Sequence, residues 1–406
     1  MPDPVDLDAI LADESKAFGP PTRHPKGWEP GIAWDGSSGA VTTGPLAEPP
    51  SALVWAELLA DWQLDPETTE IVAGSVQVRG WDANVGGGEI KRLRYYRATI
   101  RARTDAGEDH ADVDYLCRLV EKRKAYKPPP AVGERALVVA CSDWQMGKGE
   151  GGGTEATVAR ICSAIDRLPA RIRDLKKLGH PVDAVYLLGM GDLVEGCSGF
   201  YPMQTFTVDL DRREQMRLVR RMLLRAVETV APLVSTVVMA AVPGNHGENR
   251  GAANKAFTNW TDNDDLAVVE QVAEVLAANP ARYGHVSTVL ADDLTLVLDI
   301  CGTPVGLAHG HQMRGSGHPA ARVHKWWEGQ ALGRQPVADA QVLVTGHLHH
   351  LLLAETSGRT HLQCPAMDGG SGWWTSTTGQ HSPSGMLTFT AGTGCGPRGW
   401  DDLVVL

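Results

Sequence analysis

The sequence predicts an α/β protein in two parts, a small N-terminal α+β module and a larger layered α/β domain, on three observations. Short continuous apolar runs recur beyond residue 135, helical stretches separate them, and a charged, proline-rich segment stands before the first run. The length of 406 residues also exceeds the roughly 250–300 at which single cores usually stop growing.

Residues 1–50 read as a flexible N-terminal arm, because Phe18 to Pro50 is dense in Gly, Pro and Ser and has no apolar period. Residues 51–120 read as the small module. Trp55, Leu58, Leu59 and Trp62 recur at helical spacing, and Glu70 to Val78 and Leu93 to Ala102 read as strands around Gly86, Gly87 and Gly88. Residues 121–134 read as a linker, since three prolines after a charge run favour an extended chain.

Residues 135–406 form the expected α/β domain. Ala136 to Ala140, Ala184 to Leu188, Thr236 to Val242, Leu294 to Ile300, Val305 to Ala308 and Gln341 to Val344 read as buried strands. Thr154 to Leu178, Asp211 to Val230 and Asp264 to Ala278 read as the helices between them, and Met386 to Thr390 as a last short strand. The tail from Gly369 carries Trp373 and Trp374, as suited to core packing as to rimming a cleft.

Composition narrows the classes. Hydrophobic residues at 43% and charged residues at 21% exclude a disordered chain, and a net charge of −11 argues against coating nucleic acid by charge alone. The seven cysteines have no paired short spacing, which fits reduced thiols in a cytoplasm. The N-terminus carries Asp3, Asp6, Asp8 and Asp13 without a basic-then-apolar pattern, so no secretory signal is expected. No run approaches the ~18 apolar residues of a membrane span.

Each predicted strand leads into residues that bind metals well. Ser142-Asp143-Trp144-Gln145, Gly191-Asp192, Gly244-Asn245-His246, His309-Gly310-His311 and Gly346-His347-Leu348-His349 follow five of the runs, and strand ends are where α/β sheets build their functional crevice. Carboxylate, amide and imidazole together suit Mn²⁺, Fe²⁺ or Zn²⁺ better than an all-oxygen set would. Taken singly, Asp143 and Asp192 are as readily cap residues and Asn245 a turn residue; the ordered set favours metal. Gly191, Gly244 and Gly346 are expected at turns that need positive φ.

In this order the five motifs resemble those of the calcineurin-like metallophosphoesterases, whose DNA-repair exonucleases are among the relatives suggested. The resemblance covers Ala136 to Leu351. It implies a layered α/β/β/α sandwich and a phosphoesterase that attacks phosphorus with a water bridging two divalent ions, Mn²⁺ first, with Fe²⁺, Zn²⁺ or Mg²⁺ as alternatives. Matched residue by residue, it places Asp143, Gln145 and His349 on one ion, Asn245, His309 and His347 on the other, Asp192 on both, and His246 as the acid.

The chain departs from the family at Gln145, where His is usual, leaving direct or water-mediated coordination open. Gly247 stands where an acid is usual, leaving Asp192 or Glu248 to partner His246. His311 is assigned to substrate, Glu195 to a supporting role, and Lys148 to an exposed loop or a phosphate contact. His318, His324, His350, His361 and His381 are expected at the surface or behind the site.

The expected substrate is a phosphodiester, nucleic acid foremost. Lys91, Arg92, Arg94, Arg97, Arg101 and Arg103 with Trp81, Tyr95 and Tyr96 form one basic and aromatic region, and Arg212, Arg213, Arg217, Arg220, Arg221 and Arg225 a basic helix; each reads equally as a solvated face. A phosphomonoesterase or small-nucleotide phosphodiesterase, and a nucleic-acid-binding protein with a degenerate metal site, are the alternatives.

Overall fold

The computed structural model describes residues 27–34, 38–46, 49–65, 69–72, 75–84, 90–102, 113–131, 133–201, 204–250, 258–370, 375–376, 379 and 381–406. The arm before residue 27, Gly86, Gly87, Gly88, Arg103, Trp373 and Trp374 lie outside them, as do the side chains of Trp81 and Lys91. The chain divides into two compact units, residues 1–109 and 110–406.

Among the described residues the first unit is a five-stranded antiparallel sheet with one helix. Strands β1 (Gly31–Trp34), β2 (Ser38–Thr42), β3 (Thr69–Ile71) and β4 (Gln77–Asn84) assemble around β5 (Ile90–Ala102), and helix α1 is Ala52–Asp61. Two expectations fail here. Residues 31–42 are a hairpin of this sheet rather than part of an arm, and β3 and β4 pair with β5 separately instead of forming one strand. The hairpin was hidden because its burial comes from sheet pairing, not from an apolar run. Tyr95 and Tyr96 are buried, Tyr96 with Val41, Trp55, Leu59, Ala98 and Ile100, so the expected stacking surface lacks both tyrosines.

The second unit is a four-layer sandwich. One sheet runs in the order β16 (Trp400–Val405), β15 (Leu387–Ala391), β6 (Ala136–Cys141), β7 (Ala184–Gly189), β8 (Thr236–Ala241), β9 (Val286–Leu290). The other runs β10 (Thr295–Ile300), β11 (Thr303–Ala308), β12 (Val342–Thr345), β14 (Arg359–Gln363), β13 (Leu352–Thr356). The chain alternates faces along each strand. In β6, Ala136, Val138 and Ala140 meet Leu307, Val344 and Leu362 of the second sheet in the middle core, while Leu137, Val139 and Cys141 face the helices.

Those helices are α2 (Val113–Glu121), α3 (Gly153–Lys177), α5 (Arg212–Val230) and α6 (Asp264–Ala277), with short α4 (Gln204–Thr207) and α7 (Pro280–Tyr283) in the connections. Helix α8 (Pro319–Leu332) covers the outer face of the second sheet through Val323 and Trp327. Asp211 and Glu214 cap α5 reciprocally, which fixes where that helix begins. Leu116 and Val120 of α2 join this core, so residues 113–121 belong to the second unit and the division falls before them, not at residue 121. Among the described residues no helix is long and apolar enough to cross a membrane.

β6, β7, β8 and β9 are mutually parallel, and so are β11 and β12, so the loops after β6, β7 and β8 leave one sheet at its carboxyl edge. The predicted motifs occupy these loops and the ones after β11 and β12.

Candidate metal centre

The loops after the strands turn at once. Asp143, Gln145, Asp192, His347 and His349 are five of the ten non-glycine residues with positive φ among the described residues, at 49°, 42°, 51°, 70° and 55°. Such backbone costs energy and persists where the surroundings impose it. Gly191 has the expected positive φ of 87°, but Gly244 and Gly346 do not. They are needed for close approach instead: a Cβ on Gly244 would collide with Asp192 Oδ1, and one on Gly346 with Ser142 Oγ and Asp143 Oδ2.

Asp192 is held by a residue that the sequence reading passed over. The carboxylate of Asp265, wholly buried in the first turn of α6, accepts from the backbone N–H groups of Asp192 (2.9 Å), Leu193 (2.8 Å) and Gly244 (3.0 Å). Asn263 closes the same clamp: its Oδ1 accepts from Asp265 N (2.9 Å) and its Nδ2 donates to Gly244 O (2.9 Å). The loop carrying Asp192 and the loop carrying Asn245 are thereby tied to one helix end. A signal was available, since Asp265 falls at helical spacing with the buried Val268, Val269 and Val272.

Asp192, His309 and His347 each bring one donor atom within 4.8 Å of the others. His309 Nδ1 lies 2.8 Å from the carbonyl oxygen of Met190, which only accepts, so Nδ1 carries the hydrogen. Its Nε2 stands 2.9 Å from Asp192 Oδ2 as an ion pair, and Asn245 Oδ1 is buried without a hydrogen-bond partner. Buried polar atoms are normally satisfied, and an unpartnered amide oxygen in a site that also offers imidazole and carboxylate completes the set a divalent ion takes. These residues fit the ion.

The electrostatics agree. Burial opposes charge on His309, but the Asp192 carboxylate outweighs it and raises the imidazole to about 9. Burial notwithstanding, His309 and His246 hold the Asp192 carboxyl far below the usual range. Asp265 is pushed up to about 7 by burial and by the charge of Asp192. His347 falls to about 4 and His311 to about 3 through burial and the neighbouring His309.

Asp143, Gln145 and His349 sit differently. Asp143 Oδ2 accepts from Ser142 Oγ, His347 N lies 3.1 Å from both carboxylate oxygens, and His349 Nε2 is 3.2 Å from Oδ1. Gln145 Oε1 accepts from Lys148 Nζ at 2.9 Å. Lys148 is buried and pairs with Asp368, whose Oδ2 also faces His349 Nδ1 at 3.4 Å. An exposed loop position for Lys148 is therefore corrected. Despite burial, Asp143 and Asp368 raise His349 to about 10, and His349 with Lys148 keeps the Asp368 carboxyl well below the usual carboxylate range. No donor of this group is left bare.

His246 is fixed by Glu195, not by Glu248 as one alternative held. Its Nδ1 donates to Glu195 O at 2.7 Å and lies 3.4 Å from Glu195 Oε2, while Asp192 Oδ1 accepts from its backbone N–H (2.8 Å). Glu195 is fully buried, bound by Tyr201 Oη (2.8 Å), and burial raises its pKa. Glu248 pairs instead with Arg250 at 2.7 Å. The ring of Phe200 stacks on His246 at 4.4 Å and 8°, and Arg250 lies over Phe200 at 4.5 Å.

His311, half-buried, stands 5.5 Å from the His309 ring and, with Arg314, Arg322, His347 and Gln363, lines a cavity of about 260 Å³. Of the histidines set aside, His318 caps α8, His324 faces Glu328, His350 binds Leu348 O and His381 is exposed. His361 is buried in β14 against Thr345 Oγ1 (2.8 Å), away from the surface. The basic helix is largely engaged within the chain: Arg212 with Asp264, Arg220 with Gln271 and Arg225 with Asp166.

No family model and no curated protein matches the sequence. Solved structures similar to it include vacuolar protein sorting 29 from Cryptosporidium parvum, at 16% identity over 64% of this chain and 87% of that one with a TM-score of 0.28. A predicted phosphoesterase from Streptococcus pneumoniae TIGR4 is 11% identical over 64% of this chain and 84% of its own, with a TM-score of 0.25. An archaeal phosphodiesterase is 11% identical over 67% of this chain and 99% of its own, at 0.29. Likeness at this level carries no argument, and the architecture and the chemistry rest on the residues above.

Proposed function

We propose that the second unit is a metal-dependent phosphoester hydrolase acting on nucleic-acid phosphodiesters. The observation that carries the reading is the buried Asp192 carboxylate and His309 Nε2, 2.9 Å apart, together with Asn245 Oδ1, buried without a partner on the loop that Asp265 ties to that of Asp192. With His347 they would hold a divalent ion, which supplies Lewis-acid polarisation of a phosphoryl oxygen and a water of lowered pKa.

The remaining chemistry belongs to the chain. His246, anchored through Nδ1 on Glu195, keeps Nε2 for the proton that the leaving oxygen takes, and the Glu195 carboxylate supports the imidazolium before transfer. Asp265 and Asn263 keep the two ligand loops in register. Nucleic acid is favoured by Phe200 and Arg250 stacked beside His246 and by the exposed Phe206 of α4 and Trp260 of the turn before α6, a combination of flat rings and cation suited to unpaired bases.

The test is hydrolysis of single- and double-stranded DNA and RNA with Mn²⁺, against bis-aryl and mono-aryl phosphates. The reading expects cleavage of a nucleic acid that Phe206→Ala weakens through KM, by the ~1–3 kcal/mol a stacked base is worth, with the bis-aryl ester unaffected. Turnover of aryl phosphates alone would favour a small-substrate esterase, and nucleic-acid binding without turnover under any divalent ion a binding protein.

A further inference from the structure

The site has two adjoining positions, and their amide oxygens are in opposite states. Around Asp192, His309 Nε2 pairs with the carboxylate at 2.9 Å and Asn245 Oδ1 has no hydrogen-bond partner. Around Asp143, every candidate donor already has one: Asp143 takes Ser142 Oγ, His347 N and His349 Nε2, Gln145 Oε1 takes Lys148 Nζ, and His349 Nδ1 faces Asp368. The ammonium of Lys148 lies inside this second cluster, buried, between Gln145 and Asp368.

We propose that this chain holds one divalent ion and not two, with the Lys148 ammonium filling the charge role of the other at the Asp143–Gln145–His349 position. The inference rests on the reading of the Asp192 position as a metal site. An ion on Gln145 Oε1, at a metal–oxygen bond of about 2.1 Å, would stand within about 5 Å of an ammonium already 2.9 Å from that oxygen. Burial removes the water that would screen those like charges. The two carboxylates at this position, Asp143 and Asp368, are matched by Lys148 and His349, so no buried negative charge there is left without a partner. At the Asp192 position, Asp192 and Asp265 are both buried carboxylates, His309 pairs with Asp192 at 2.9 Å, and no lysine or arginine pairs with either among the described residues. A neutral amide at Gln145 in place of an imidazole belongs to the same arrangement: it accepts from an ammonium, which an Nε2 committed to a metal would not.

The full chain, loaded with excess Mn²⁺ and desalted, is expected to carry one Mn per chain by elemental analysis, with the magnetic resonance signal of an isolated Mn(II). Gln145→His combined with Lys148→Ala is expected to raise the count to two and to bring in the signal of a coupled pair; Gln145→His alone, which keeps the ammonium, is expected to stay at one. Two ions in the unsubstituted chain would overturn the proposal, and a folded double variant still at one would remove Lys148 as the cause. Should the double variant unfold, Lys148→Met with Gln145→His repeats the test, and the unsubstituted count decides by itself. No ion at all in the unsubstituted chain would instead defeat the reading of the Asp192 position as a metal site.

Discussion

The two positions flanking the junction of the sheets are built alike and finished differently. Both hang from loops that leave a strand with positive φ, and both offer a carboxylate and an imidazole. At the Asp192 position the second layer acts on backbone: Asp265 and Asn263 hold loops, Met190 O sets the His309 tautomer, and the Asn245 amide oxygen is left bare. At the Asp143 position the second layer, Lys148 and Asp368, reaches the donors themselves. Ligand type in the sequence is thus a poor guide to the state of a donor, because one amide oxygen is left bare and the other is satisfied by an ammonium.

That contrast can be broken most sharply at its bare side. His309→Ala is expected to weaken Mn²⁺ binding by more than the ~100-fold that losing an outer-layer partner costs, while His349→Ala weakens it less; titration calorimetry on both variants makes the comparison. If His349→Ala were the more damaging, the assignment of the two positions would be reversed. Next in size, His246→Ala is expected to slow turnover ~10²–10⁴-fold with a poor leaving group and far less with p-nitrophenolate, which needs no proton. An equal loss with both leaving groups would remove His246 from the proton transfer.

The clamp comes third. Asp265→Asn keeps shape and one acceptor oxygen but loses the charge that four N–H groups and the ion share, and a 10–100-fold loss of Mn²⁺ affinity is expected, with circular dichroism unchanged. His361 supplies the smallest and most general check. Its Nδ1 is buried without a partner, and burial lowers its pKa to about 4. The unfolded chain, with its imidazole near 6.5, binds that proton first as pH falls, so stability is expected to drop between pH 6.5 and 4, by roughly 3 kcal/mol if this group acts alone. Denaturant melts of the chain and of His361→Gln check it, the variant losing less over that interval.

Much of the fold was readable because the central strands are buried on both faces and write themselves as apolar runs: β6, β7, β8, β11 and β12 lie within a residue or two of their expected bounds. The edges were not. β9 alternates half-buried and exposed residues, and β13 and β16 do nearly the same, so no continuous run marks them. Helix α8 buries only Val323 and Trp327, too few to show a period. In the site, the loops named by their motifs converge, since a strand end fixes where the next residues go. Lys148, Glu195, Asp265 and Asp368 carry as much of the geometry, but their roles come from contacts made across many residues of chain, and only Asp265, on the apolar face of α6, left a trace in the spacing.

The most direct test of the account is a crystal of the full chain soaked in Mn²⁺ and measured at the manganese absorption edge. The account predicts an anomalous peak bounded by Asp192, Asn245, His309 and His347, with none between Gln145 and His349. No peak at those four residues, or a stronger one beside Gln145, would contradict it.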